Sequence, residues 1–380
     1  MIKILTIIGA RPQIIKSSAL SRAISEEYYD RIQEVILHTG QHYDENMSRV
    51  FFEELSIPKP KYNLNVGSSS HGVQTAKMIE GIEKALIDES PNAVVVYGDT
   101  NSTLAAALAA SKLLVPVIHI EAGLRSFNKT MPEEINRIMA DHVSTLLFSP
   151  TLSGIKNLLN EGFSMEIHEK PNMDFPNIYH CGDIMYDNTI YFSQMINESI
   201  DKIKEFFLKY KKDFILCTIH RNANTDDPYR LNSIFKALLE LAKKERIILP
   251  LHPRTKKYLK SNLHPEVYSQ LSRTKKIEIL PPLPFLDMIY LESTAKLVIT
   301  DSGGVQKEAY FLETPCIILR PETEWVEIVE NNCARLVDSD YDRIIKEANY
   351  YISKPPTNYP KIFGDARAGK FICEQIIKYI

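Results

Sequence analysis

Cysteine is scarce in this sequence. Its five cysteines (Cys181, Cys217, Cys316, Cys333, Cys373) are scattered through 380 residues. They form no CxxC pair and no Cys/His ligand spacing, so the reading is buried thiols in a reducing cytoplasm rather than a disulfide framework or a zinc site. Excess charge of one sign is also missing. A formal net charge of −3 gives no electrostatic reason to expect nucleic acid as a partner, although a local basic pocket for a small anion stays open. Apolar runs break well short of about 18 residues, so no membrane partner or span is expected. The opening MIKILTIIG has no extended apolar region and no small-residue cleavage site, and no signal peptide is expected. Neither GARPQIIK nor DSGGVQKEA fits G-x-G-x-x-G or G-x-x-x-x-G-K-[ST], so neither NAD nor a P-loop nucleotide is indicated. Without an H-E-x-x-H helix no metal is inferred.

What the sequence does have is alternation. Short apolar, β-branched runs (3–8, 35–38, 93–97, 115–120, 146–149, 178–181) alternate with amphipathic ones (14–24, 46–55, 72–89, 102–114, 152–161). That pattern predicts a doubly wound parallel α/β sheet. A polar, Pro-containing stretch at 164–177 reads as a surface excursion, and 183–212 as a helical connector. The alternation then restarts with strands expected at 214–219, 247–251, 277–280, 297–300, 316–319 and 334–337. Two αβ sequences of similar size suggest two Rossmann-like domains facing each other across a cleft. The boundaries are drawn at 1–183 and 184–363, and the amphipathic stretch 364–380 is expected to pack back on the first half.

Acids stand at the strand ends. Asp99 and Glu121 each follow a buried strand, and carboxyl ends of neighbouring strands in an open α/β sheet share a crevice. Glu133 and Glu134 follow on a Pro-started helix. Clustered carboxylates raise each other's pKa, so such a cluster is costly unless some take up protons or bind something, which makes it a candidate acid/base site. In the second half, ITDSGGVQKEA runs a strand into Ser302, Gly303 and Gly304 and then at once into a helix, whose free N–H groups suit phosphate. Glu308, one turn on, suits the two hydroxyls of a ribose; the other reading is a plain strand-to-helix turn. Arg11 and Lys16 after the first strand suit an anion, or are simply solvated. His220 with Arg221, and His252 with Arg254, each follow a strand: either diphosphate contacts or hydrogen-bonded structural residues. His119 is equally open, and Trp325, the single tryptophan, is core or an aromatic wall.

GARPQ, TGQHYDENM, GDTNST, HIEAGLRS, MPEEINR, HRNAN, DSGGVQKEA and TEWVE occur here in the order of the motifs of the non-hydrolysing UDP-N-acetylglucosamine 2-epimerase family, which the chain resembles from Lys3 to about Val337. The resemblance implies a glycosyltransferase B type architecture, a UDP-sugar substrate, no cofactor, a homodimer and a cytoplasmic enzyme whose products feed polysaccharide biosynthesis. The implied reaction is inversion at C2 by elimination of UDP to a 2-acetamidoglucal and re-addition. By motif, Asp99, Glu121 and Glu134 resemble the family's acid/base carboxylates and His220 its essential histidine. Arg11, Lys16, His252, Ser302, Gly303, Gly304 and Glu308 resemble contacts to UDP. Gln41 and His42 fall where bacterial members build an activating second UDP-N-acetylglucosamine site.

Some positions depart from the family pattern. GTRPE reads GARPQ, putting Gln13 where an acid is usual; HRxE reads HRNA, putting Ala223 after the histidine; ERPE reads EWVE, putting Trp325 where an arginine is usual. Gln13, Gln41, His42, Arg137, Ala223 and Trp325 are therefore the candidates for specificity or allosteric control. Removing acids near the sugar suits a substrate carrying its own carboxylate. The departures thus resemble the branch acting on UDP-2,3-diacetamido-2,3-dideoxyglucuronate, with UDP-N-acetylglucosamine as the alternative substrate.

Overall fold

A computed structural model describes residues 1–41, 55, 57–198, 210 and 213–380. The chain divides into two units, Met1–Asn188 with Lys361–Ile380, and Thr189–Pro360. The first unit begins β1 (Ile2–Ile8), α1 (Arg11–Ala23), β2 (Ile32–His38), β3 (Tyr62–Asn63) and α2 (His71–Glu89). It continues β4 (Ala93–Tyr97), α3 (Asn101–Lys112), β5 (Val117–Ile120), α4 (Pro132–Asp141), β6 (Leu146–Ser149), α5 (Leu152–Asn160) and β7 (Asn177–His180). α6 (Ile184–Glu198) then runs on from the first unit into the second. The second unit holds β8 (Phe214–Thr218), α7 (Asn222–Thr225), α8 (Pro228–Leu241), β9 (Arg246–Pro250), α9 (Pro253–Asn262), α10 (Pro265–Arg273) and β10 (Ile277–Leu280). After these come α11 (Phe285–Thr294), β11 (Leu297–Thr300), α12 (Gly303–Phe311), β12 (Cys316–Ile318), α13 (Val326–Glu330), β13 (Ala334–Leu336) and α14 (Tyr341–Ser353). The last helix, α15 (Ala368–Tyr379), belongs to the first unit.

Both sheets are parallel. The first has the order β3-β2-β1-β4-β5-β6-β7 and the second β10-β9-β8-β11-β12-β13. Strand order reverses beside β1 and beside β8, so each sheet has a switch point where the carboxyl ends of its strands open a crevice. The strands look as a doubly covered sheet requires: every residue of Ala93–Tyr97 is buried, and Val94, Val96, Leu5 and Leu37 pack against Met78, Ile82 and the alanines of α3. Small residues on α3 let that helix lie close. The equivalent core of the second unit gathers Ile215, Leu231, Phe235, Leu249 and Ile299.

Several boundaries differ from those the sequence suggests, for local reasons. α1 starts at Arg11 rather than Ile14, because Pro12 suits a helix's first turn and the Gln13 side chain accepts the Gly9 and Ala10 N–H groups. β5 starts at Val117 because Pro116 has no N–H to give a ladder. β3 is only two residues long and carries no periodic signal. The helix expected at 46–55 lies, apart from Leu55, outside the described residues, as do 199–209, 211 and 212 of the connector. No helix among the described residues is long and apolar enough to cross a membrane.

α15 docks on α1 through Gly369, where a Cβ would come within 3.0 Å of the Ala19 carbonyl oxygen. Asp187 accepts the N–H groups of Ala368 and Gly369 at 3.1 and 2.8 Å and so receives the start of that helix. Burial outweighs these donors and pushes its carboxyl up to about 6. With a folded pKa above the unfolded ~3.9, the native state binds the extra proton, so stability falls as pH rises from ~3.9 to about 6 and is level beyond. Asp187→Asn keeps an acceptor but not the charge. Urea titrations at pH 4.5 and 7.5 are expected to show the variant gaining on the parent by on the order of 2 kcal/mol at the higher pH; a gap independent of pH refutes the assignment.

Candidate functional site

One strand beyond the switch point of the first unit, the β4–β5 register pairs Tyr97 with Ile120 and so sets Gly98–Asp99 beside Glu121. Gly98 has φ +59°, which strains any side chain, and a Cβ there would stand 2.9 Å from Glu121 Oε2 and 3.1 Å from Lys16 Nζ, so it would push that ion pair aside. Glu121 itself sits at φ +74°, a backbone conformation that costs a non-glycine residue about 1–2 kcal/mol. The Lys16 ammonium is in close contact with its carboxylate.

The acids are not left facing one another. Along α4, Glu134, Arg137 and Asp141 follow at spacings of three and four, on one buried face. Arg137 bridges two carboxylates, Asp99 at 2.5 Å and Glu134 at 2.9 Å. Asn136 donates to the Asp99 carbonyl at 2.8 Å. Burial works against ionisation of Glu134, yet the Ser126 N–H and hydroxyl, the Phe127 N–H and Arg137 hold it below the usual carboxylate range. At Asp99 the balance reverses: burial, helped by Glu121 and Glu133, outweighs Arg137 and Lys16, and its pKa rises. The side chain nevertheless keeps 30% of its surface open. One reachable carboxyl able to take up a proton and give it back thus neighbours one held as a carboxylate, a pairing that acid/base chemistry can use.

Near the switch point of the second unit, the buried carboxylate of Asp301 organises the ends of two strands. It accepts the backbone N–H of His220 at 2.9 Å and of Arg221 at 3.0 Å, and the Asn224 amide at 3.0 Å. Burial lowers the pKa of His220 against the raising effect of Asp301, and the His252 ring, 5.3 Å away, lowers it further. Ser302 caps α12 by accepting from Val305, and Gly303 is crowded: a Cβ would meet Glu324 Oε1 at 2.9 Å and Arg221 Nη2 at 3.6 Å. Arg320 lies 2.8 Å from Glu324 and helps hold that carboxyl, despite burial, below its ordinary range. Two arginines therefore converge on the start of a nine-residue helix with phosphate-binding geometry.

The structure brings Lys16, Asp99, Glu121, Glu134 and Arg137 together in the first unit and His220, His252, Ser302 and Gly303 in the second. A Cβ at Gly304 would meet only the Ser302 hydroxyl, in ordinary contact at 3.9 Å, Glu308 lies half-buried on α12, and Arg11 half-buried at the start of α1. Two candidates for specificity, Gln13 and Trp325, and one for UDP contact, His252, turn out to hold the frame. Gln13 is buried and spends its amide on the Tyr97 carbonyl and the Thr103 hydroxyl, both at 3.0 Å, which a glutamate could not do. Trp325 is core: its indole N–H donates to the Gly303 carbonyl at 3.1 Å, with the Lys307 ammonium 4.0 Å above the ring. His252 accepts the Arg254 N–H as the cap of α9. Gln41 accepts from the Ser102 N–H and hydroxyl, Ala223 is exposed on α7, and His42 lies outside the described residues. Asp301, Arg320, Glu324 and Asp141 carry weight that sequence reasoning did not assign to them, although Asp301 opens DSGGVQKEA at a strand end, Glu324 lies in TEWVE and Asp141 keeps helical spacing from Glu134.

The crevice of the first unit is thus edged by acids, and that of the second by arginines and a glycine turn. Residues 25–377 match the family model for UDP-N-acetylglucosamine 2-epimerase. The chain belongs to the UDP-N-acetylglucosamine 2-epimerase family. Among members of this epimerase family, it is 46% identical over 377 residues to UDP-2,3-diacetamido-2,3-dideoxy-D-glucuronate 2-epimerase of Pseudomonas aeruginosa, covering 99% of each chain. It is 43% identical over 374 residues to UDP-N-acetylglucosamine 2-epimerase of Methanocaldococcus jannaschii, covering 97% of each. The crystal structure of the M. jannaschii UDP-GlcNAc 2-epimerase in complex with UDP-GlcNAc and UDP matches with a TM-score of 0.86 at 42% identity, over 99% of each chain. The two parallel sheets are thus the fold of this epimerase family.

Proposed function

We propose that the protein inverts C2 of a UDP-linked 2-acetamido sugar by eliminating and re-adding UDP. The observation that carries this is the trio Asp99, Glu121 and Glu134 threaded by Lys16 and Arg137, with Asp99 and Glu134 driven to opposite protonation tendencies. A carboxylate removes the C2 proton, the C1–O bond breaks with its electron pair leaving on the diphosphate, and a C1=C2 double bond forms. Addition then returns the diphosphate oxygen to C1 while an acid delivers a proton to the opposite face of C2. In the second unit, Arg221, Arg320 and the N–H groups at Gly303 and Gly304 suit the departing charge, His220 the bridging oxygen and Glu308 the ribose.

For the substrate, the 46% identity to the diacetamido-glucuronate enzyme, together with the departures at Gln13, Ala223 and Trp325, supports UDP-2,3-diacetamido-2,3-dideoxyglucuronate. Since Gln13 and Trp325 are buried, they would act through the turns they hold rather than by touching the sugar. UDP-N-acetylglucosamine is the second reading, favoured by the M. jannaschii relative. Each substrate incubated with the protein in deuterium oxide is expected to acquire deuterium at C2, if turned over, without any acceptor present. Exchange on the uronate alone supports the first reading, exchange on UDP-N-acetylglucosamine alone replaces it with the second, and exchange on neither defeats both. A homodimer and a cytoplasmic setting in polysaccharide synthesis fit this reading; exposed apolar side chains at Val73, Ile87, Ile135 and Met139 of the first unit are consistent with an interface there.

A further inference from the structure

His119 stands two residues before Glu121 on β5 and touches neither a candidate ligand group nor solvent: it is fully buried. Its Nδ1 lies 2.7 Å from Asp141 Oδ1 and its Nε2 2.8 Å from the carbonyl oxygen of Gly98, the residue that carries Asp99. A carbonyl can only accept. Asp141 is equally committed to accepting, because its other oxygen takes the Arg125 guanidinium at 2.7 Å and the Gly123 N–H at 3.1 Å. A neutral imidazole has one N–H and one bare nitrogen, and the bare one would face a lone pair at hydrogen-bond distance. Both contacts are bonds only if both nitrogens carry protons.

We infer that His119 is a buried imidazolium that acts as a positioning residue, pinning the Gly98 carbonyl so that Asp99 and Glu121 keep their places beside the switch point. The charges around it balance. His119 and Arg125 are offset by Asp141 and by Glu161, which takes Arg125 bidentately at 2.7 and 2.7 Å. The cation is thereby held at the buried end of an ion-pair chain whose outer member, Glu161, also takes His142 at 3.3 Å and reaches solvent. The Gly98–Asp99 turn is then held by α4 at three levels: Arg137 on the Asp99 carboxylate, Asn136 on the Asp99 carbonyl, and Asp141 through His119 on the Gly98 carbonyl. One helix face fixes an acid that a two-residue turn would leave loose.

The inference rests on Asp99 being an acid/base group only in its kinetic part. In the unaltered protein labelled with 15N-histidine, at pH 7.5, the expected result is a His119 ring with both nitrogens bearing protons. A bare ring nitrogen overturns the imidazolium. Folded His119→Gln, which offers one amide to two acceptors, is expected to lose about 10²-fold in kcat with KM for the UDP-sugar changed less than about twofold, because the nucleotide contacts are elsewhere. An undiminished kcat overturns the positioning role. If the imidazolium is found and Asp99→Asn leaves kcat intact, it is the acid/base reading of Asp99 that fails, not the protonation of His119.

Discussion

Asp99→Asn is expected to lower kcat for C2 inversion by roughly 10²–10⁴-fold, with KM little changed. Asparagine keeps the size and one acceptor, so Arg137 retains a partner and the turn at Gly98 survives. What goes is the capacity to exchange a proton. Burial outweighs Arg137 and Lys16 at this carboxyl and raises its pKa, so the group that must be ionised to act as base becomes protonated above the usual carboxylate range. The rate therefore falls as pH falls through that raised value, and this acidic limb is expected to vanish or move in the variant. Deuterium incorporation at C2 in parallel with product formation gives both readouts; a kcat within tenfold of the parent and an unmoved limb would sink the assignment.

Arg137→Met carries the largest expected cost in stability. The guanidinium is one cation serving two acids in a site where only 10% of its side-chain surface meets solvent. Removing one partner from a buried charged set costs about 3–5 kcal/mol, a large share of the roughly 5–15 kcal/mol that typically holds a domain together. Glu134 keeps its donors from Ser126 and Phe127, but Asp99 loses the cation closest to it. The sign of the pH dependence follows from Glu134. Its folded pKa is depressed, so its contribution is complete above its unfolded value near ~4.3 and is lost as pH falls through the lower folded value. Parent and variant should differ most at neutral pH and converge below about pH 4. Arg137→Lys is expected to recover part of the loss, since a point charge cannot span two carboxylates as a planar fork does. Urea unfolding across pH 3.5–7.5 tests this, and equal midpoints at pH 7.5 would refute the bridging role.

Much of this architecture was legible because parallel strands buried on both faces must be apolar throughout. Ala93–Tyr97 and Leu297–Thr300 announce themselves, and the residue that follows each is set at a crevice by topology alone. The acids Asp99 and Glu121 could be found that way, as could the turn at Ser302. What joins them could not. Arg125 meets Glu161 and His119 meets Asp141 across separations of 36 and 22 residues, and no local pattern encodes partners so far apart. Trp325 and Gln13 looked like specificity devices because they differ from the family; their burial shows that a difference in motif can be a change of framing rather than of contact. Tyr62–Asn63 was invisible because two residues cannot display a period.

The return of α15 to α1 has a consequence for how the protein is made. The first unit is interrupted: residues 361–380 complete it, and the whole of 189–360 is translated in between. The unit carrying the acids begins synthesis first but closes last. Until Asp187 receives the start of α15, the face of α1 around Ala19 stays open to water. The continuous unit can assemble while the earlier one still waits, an order opposite to the simple N-to-C progression of tandem domains.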